Sequence, residues 1–215
     1  MLRLLKREPS AVLLAVQLAG VLLYPFMEGG GRALFSAFGI LALALVVLAV
    51  RSSPALTWVA LVLGGPATVL LLIQAITGDD ALLPYSSALE AVLYFYAAAA
   101  LIAYMLADHE ITRDELFAVG ATFTLVAWGF AYVFTVWQAI EPGSFTAAID
   151  PQAQRTWMEL LFLSFTTLSS TGLSDVVPID PFARSLVMIE QVAGVAYIAV
   201  VVSRLIGLTI PRAPR

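Results

Sequence analysis

The chain has 215 residues, 61% of them hydrophobic and 12% charged, with a formal net charge of −4. Soluble domains carry roughly 25% charged residues, so the polar groups here cannot coat a globule, and lipid is the expected solvent for much of the surface. With no cysteine and one histidine, His109, disulfides, thiolate sites and multi-imidazole metal centres are excluded; the net charge gives no reason to expect a nucleic-acid partner.

A membrane helix needs about 20 mostly apolar residues. Six segments meet that requirement: 10–28, 33–50, 55–77, 86–107, 115–140 and 183–208. The first follows a basic start and has no small-residue cleavage site after it, so it is read as a retained helix rather than a signal peptide. In the third, Pro66 after Gly64-Gly65 is expected to break the span. The fourth contains no Lys or Arg, only Glu90. Between the fourth and fifth, Thr112 followed by Glu115 reads as a capping box. His109 in the same link stands among carboxylates and is a candidate pH sensor, although a lone loop histidine is more often simply solvated. Between the fifth and sixth spans, 156–168 is apolar but too short to cross, which is the length of a re-entrant helix. Only Pro211 to Arg215 follow the last span, so no regulatory domain in cis is expected.

Six crossings put both termini on one side. With that side cytoplasmic, Arg3, Lys6, Arg7, Arg51, Arg113, Arg204, Arg212 and Arg215 are inside, against Arg32, Arg155 and Arg184 outside. The positive-inside rule therefore favours cytoplasmic termini. It also puts the loop 141–182 on the outer face of the cell membrane.

That loop holds Trp157 to Asp175, WMELLFLSFTTLSSTGLSD. An apolar run gives way to hydroxyl residues and a glycine. Irregular backbone at membrane depth is tolerated only where protein buries it or water lines it. The segment Ser170-Thr171-Gly172-Leu173-Ser174-Asp175 resembles the Thr-Val-Gly-Tyr-Gly-Asp filter of the potassium-channel superfamily. Ser164-Phe165-Thr166-Thr167-Leu168 is similar to the run that precedes that filter. Pro178, Arg184 and the Val192-Ala193-Gly194 hinge stand where that family has a post-filter proline, an arginine opening the inner helix, and a glycine hinge. The resemblance covers roughly residues 115–208. It implies a permeation path for potassium or sodium ions and no other cofactor. A dehydrated cation needs a cage of oxygens; one strand supplies one side, so a homotetramer with three identical partner subunits is expected.

By the same resemblance, Ser170 contributes the innermost hydroxyl, and the carbonyls of Thr171, Gly172 and Leu173 the remaining sites. Ser174 closes the filter, flanked by Thr167, Ser169 and Asp175. Two positions depart from the family. Leu173 cannot hydrogen-bond to the pore helix as the family's tyrosine does, and Ser174 replaces a glycine, resisting left-handed backbone. Among the acids near the outer mouth, Glu141 and Asp150 read as solvated loop residues. Asp175 matches a filter-flanking position, and Asp180 adds to a field that attracts cations. Glu159 in the first turn of the short helix suits either the helix dipole or function. Glu190, two turns into the last span, is an intramembrane acid for which sequence selects no partner.

The expected fold is an all-α membrane protein with six transmembrane helices, a re-entrant pore helix and a filter loop, assembled as a homotetramer. Residues 1–110 would form a four-helix unit without a charged fourth helix. Residues 111–210 would form the pore domain: outer helix 115–140, pore helix 156–168, filter 169–175 and inner helix 183–208. The functional expectation is a potassium-preferring channel, with a weakly selective monovalent cation channel or a non-conducting homologue as alternatives. No enzyme is expected, because His109 and the serines of the 169–174 loop fall on opposite sides of the membrane. A transporter's paired broken helices are also missing, since Pro66 has no counterpart in the second half.

Overall fold

The computed structural model describes residues 8–28, 32–51, 55–78, 80–107 and 112–209. Arg3, Lys6, Arg7, His109, Arg212 and Arg215 lie outside them. Among the described residues, seven α-helices follow one another: α1 (Pro9–Glu28), α2 (Arg32–Arg51), α3 (Thr57–Thr77), α4 (Leu83–Met105), α5 (Arg113–Ile140), α6 (Trp157–Leu168) and α7 (Pro181–Thr209). Among the described residues, four stretches are long and apolar enough to cross a membrane: Thr57–Thr77, Leu83–Met105, Arg113–Ile140 and Pro181–Arg204.

Local chemistry explains the helix boundaries. The Thr112 hydroxyl accepts from the Glu115 amide, and the Glu115 carboxylate accepts from the Thr112 amide, both at 3.2 Å, so the expected capping box opens α5. Gly78, at φ 70°, ends α3 by donating its amide to the Gln74 carbonyl. Pro66 does not break α3, contrary to the sequence expectation; the helix runs through it from Thr57 to Thr77. Proline removes one amide donor, and membrane helices tolerate this when side chains relieve the freed backbone. Two residues further on, the Thr68 hydroxyl adds a bond to the Gly64 carbonyl at 2.7 Å, while the carbonyl that faces the missing Pro66 amide is that of Val62.

Helices α1 to α4 pack as a unit against α5 of the same chain, chiefly through α1 and α4. The α4–α5 seam is close because Gly129 leaves room for the Phe95 ring. Trp128 of α5 stacks with Tyr94 of α4 (5.8 Å) and meets Phe38 of α2 (6.2 Å) and Trp157 of α6 (5.2 Å, edge-on). One indole therefore ties four helices, with each such pair worth about 0.5–1.5 kcal/mol beyond its buried area. On the α1–α5 seam, Ser10 donates its amide and hydroxyl to Asp114 (3.0 and 2.9 Å), and Thr124 donates to Gln17 (2.6 Å). At the same end, Arg204 of α7 pairs with Glu115 at 3.3 Å. The starts of α1 and α5 and the late turns of α7 thus lie together.

One element goes beyond the all-helical expectation. Phe145–Ala147 (β1) and Val176–Pro178 (β2) form a small antiparallel sheet, with Phe145 opposite Pro178 and Ala147 opposite Val176. It fastens the α5–α6 loop to the chain entering α7. Phe145 and Val176 are buried there with Phe134, Leu160 and Ala183.

Candidate functional site

The site starts at α6. Its N-terminus carries a second capping box, with the Glu159 amide donating to the Thr156 hydroxyl (3.3 Å) and the Thr156 amide to the Glu159 carboxylate (2.6 Å). Glu159 also receives Arg155 Nη1 at 3.1 Å. The capping reading of Glu159 therefore has its full set of partners. Arg155 itself was counted from sequence only as an outer positive charge. It is buried, and its guanidinium donates to the carbonyls of Ala153, Ile149 and Asp150. Its backbone exchanges two hydrogen bonds with the Gln138 amide group, at 2.8 and 2.9 Å. This one side chain fixes the loop ahead of α6 and, through Gln138, the end of α5.

At the other end of α6 the chain turns sharply. Ser169 donates its amide to the Phe165 carbonyl and Ser170 to that of Thr167. The amides of Thr171 and Gly172 both donate to the Thr166 carbonyl, at 2.9 and 3.0 Å, and the Thr171 hydroxyl joins them at 3.2 Å. Ser170 (φ 61°) and Gly172 (φ 66°) take left-handed backbone, natural for glycine and costly for serine. From sequence Thr166 stood only within the run before the filter, with no role of its own; its role runs through its backbone, which a side-chain motif does not advertise.

Thr167 is buried, Ser169 half-buried, and Ser170, Thr171 and Gly172 exposed, while Leu173 is 78% exposed. Among the described residues, no hydrogen bond uses the carbonyl oxygen of Thr171, Gly172 or Leu173. Ser174 is not left-handed; its hydroxyl accepts from the Val176 amide at 3.0 Å and leads into β2. Asp175 is exposed.

Asp180 caps α7. Its Oδ2 accepts from the amides of Phe182 (2.8 Å) and Ala183 (2.9 Å) and from the Trp137 indole (3.0 Å). The Ala183 amide foremost holds its carboxyl below the usual range, against some desolvation, with Trp137 and Phe182 adding to it. Further along α7, Glu190 is fully buried and bonded to Ser164 of α6. At Gly194, an added Cβ would lie 2.1 Å from the Leu168 carbonyl oxygen. The residue expected as a hinge is thus a point of direct contact between α7 and the end of α6. Across the helix, Met188, Val192, Val195 and Val202 are exposed.

A family model described as an ion channel matches residues 91–210, from within α4 to the end of α7. The chain belongs to this ion-channel family. No curated protein and no solved structure matches it. The channel match spans α5, α6 and α7 together with the 169–175 segment, which covers every site residue the sequence singled out.

Proposed function

We propose that four copies of this chain surround a central axis and form a cation channel that prefers potassium, with residues 169–175 as its filter and α6 as a re-entrant pore helix. One observation carries the reading. The carbonyls of Thr171, Gly172 and Leu173 have no hydrogen-bond partner among the described residues, while the amides of Thr171 and Gly172 are tied back to Thr166. Backbone carbonyls at membrane depth need a partner, and a permeating cation supplies one. The exposed apolar side of α7, with Met188, Val192 and Val195, supports contact with neighbouring copies. In this reading all six long helices cross the membrane; α1 and α2, at 20 residues each, reach about 30 Å. The termini are cytoplasmic, residues 1–110 form the peripheral unit, and 111–210 form the pore domain.

Weak selectivity is the second reading, and Leu173 favours it. Its side chain is 78% exposed and braces nothing, so the outer end of the segment lacks the support a tyrosine gives. Reversal potentials of the reconstituted channel with potassium on one side and sodium on the other separate the two. A clear shift toward potassium supports the first reading, equal permeability the second, and no conductance defeats both.

A further inference from the structure

Behind the 169–175 segment, three helices meet at one hydroxyl. Ser164 Oγ of α6 lies 2.8 Å from the Ala127 carbonyl oxygen of α5 and is also hydrogen-bonded to Glu190 Oε1 of α7. All of this is shut off from the surface: Ser164 and Glu190 are both 0% exposed.

A serine hydroxyl carries one proton, and a backbone carbonyl can only accept. The proton of Ser164 therefore goes to Ala127. The contact between Ser164 and Glu190 then needs a proton of its own, and the carboxyl is the only group present that can bring it. An ionised Glu190 would claim the serine proton and leave two oxygen lone pairs, on Ser164 and Ala127, facing each other at 2.8 Å.

The second carboxyl oxygen gives independent support. Glu190 Oε2 is buried and has no hydrogen-bond partner among the described residues. A neutral acid there leaves a carbonyl short of one bond, whereas an ionised group would be a buried charge with half of its acceptor sites unmet, a far larger penalty.

We propose that Glu190 is held as a neutral carboxylic acid, donating through Oε1 to Ser164, which donates to the Ala127 carbonyl, and that this directed chain positions α6 between α5 and α7. It works with a second contact. Glu190 and Gly194 are four residues apart on one face of α7, and they meet Ser164 and Leu168, also four apart, on α6. The inner helix grips the last turn and a half of the short helix at two points, one by a hydrogen bond and one by close approach. What is thereby positioned, the base of the filter, rests on the pore reading above; the protonation state of Glu190 does not.

Infrared difference spectroscopy of the purified protein at neutral pH, wild type against Glu190→Gln, tests the state directly. The expected result is a protonated-carboxyl C=O band present in the wild type and missing from the variant. A difference confined to carboxylate bands overturns the proposal. Thermal unfolding tests the positioning. Gln keeps a donor, so Glu190→Gln should melt within about 2 °C of wild type, while Glu190→Leu should fall by roughly 4–8 °C. Equal melting of the Leu variant and wild type overturns the positioning role. If Glu190→Leu does not fold, Ser164→Ala replaces it, with the same drop expected. Neither readout requires conduction, so a silent protein with the infrared band would sink the pore reading and leave Glu190 as assigned.

Discussion

Two glycines of the site do different work. Gly172 needs its freedom for φ 66° and has no atom within 4 Å of an added Cβ, whereas Gly194 sits against the Leu168 backbone with no room for one. Replacing each by alanine should therefore separate conformation from packing. Gly194→Ala forces α6 and α7 apart and should cost about 1–3 kcal/mol, seen as a lower melting temperature in detergent. Gly172→Ala strains a segment without close neighbours; the fold should survive, and in the proposed pore single-channel conductance should not. A Gly194→Ala protein that melts like wild type would refute the contact. At this scale the sequence was informative where a side chain acts within its own turn. Thr112 with Glu115 was read from spacing alone, whereas for Glu159 the first-turn position was read and its partner Thr156 was not. Glu190 could be picked out as an intramembrane acid but not paired, because Ser164 is 26 residues away and only helix packing brings them together. Thr166 was visible only as a member of the run before the filter, and its role was not, since its carbonyl is what matters.

Among the elements, the loop before α6 is the least regular and the most dependent on a single residue. Arg155 satisfies carbonyls from Ile149 to Ala153, and its own backbone is clamped by Gln138. Replacing a buried arginine with leucine leaves those carbonyls and Glu159 without their donor. Arg155→Leu should cost on the order of 3 kcal/mol, measured by thermal unfolding, and should loosen the start of α6; a loss under about 0.5 kcal/mol would contradict the assigned role. The sequence placed the helices within about three residues at each end, because long apolar runs between polar links are a strong signal. Strands β1 and β2 escaped notice for the opposite reason. Three residues each are too few to show alternation, and pairing across 29 residues, from Ala147 to Val176, depends on where α6 holds the loop. Pro66 was misjudged because the breaking rule is written for water, whereas a proline inside a membrane helix is tolerated, and α3 runs through it.

For the whole molecule, the unit of α1 to α4 lacks the charges that a voltage sensor would need among its described residues. Helix α4 carries Glu90, buried in the packed interior near Tyr94 and Tyr132, and no Lys or Arg between Leu83 and Met105. Sensor helices move about 3–4 charges per subunit through the field. The conductance of the reconstituted channel should therefore vary with voltage far less steeply than that charge would give; a sensor-like steepness would show that charge moves elsewhere in the chain. The composition alone pointed to a membrane protein, and the Ser170 to Asp175 motif to its family. That α1 to α4 fasten to the chain's own α5 was not legible, since it rests on matches such as Gln17 with Thr124 that no local pattern announces.

Those long-range matches also have a place in time. Ser10 and Asp114 are 104 residues apart, and Gln17 and Thr124 are 107 apart. At synthesis rates of roughly 5–20 residues per second, the ribosome needs about 5–20 s to reach the partners of the first helix. Through that interval α1 stands in or beside the bilayer with the amide group of Gln17 at mid-length and no α5 to receive it. Polar side chains in a lone membrane helix find other company, so the nascent chain holds α1 in a provisional setting and exchanges it when α5 arrives. Helix α1 therefore completes its packing only when α5 has been made.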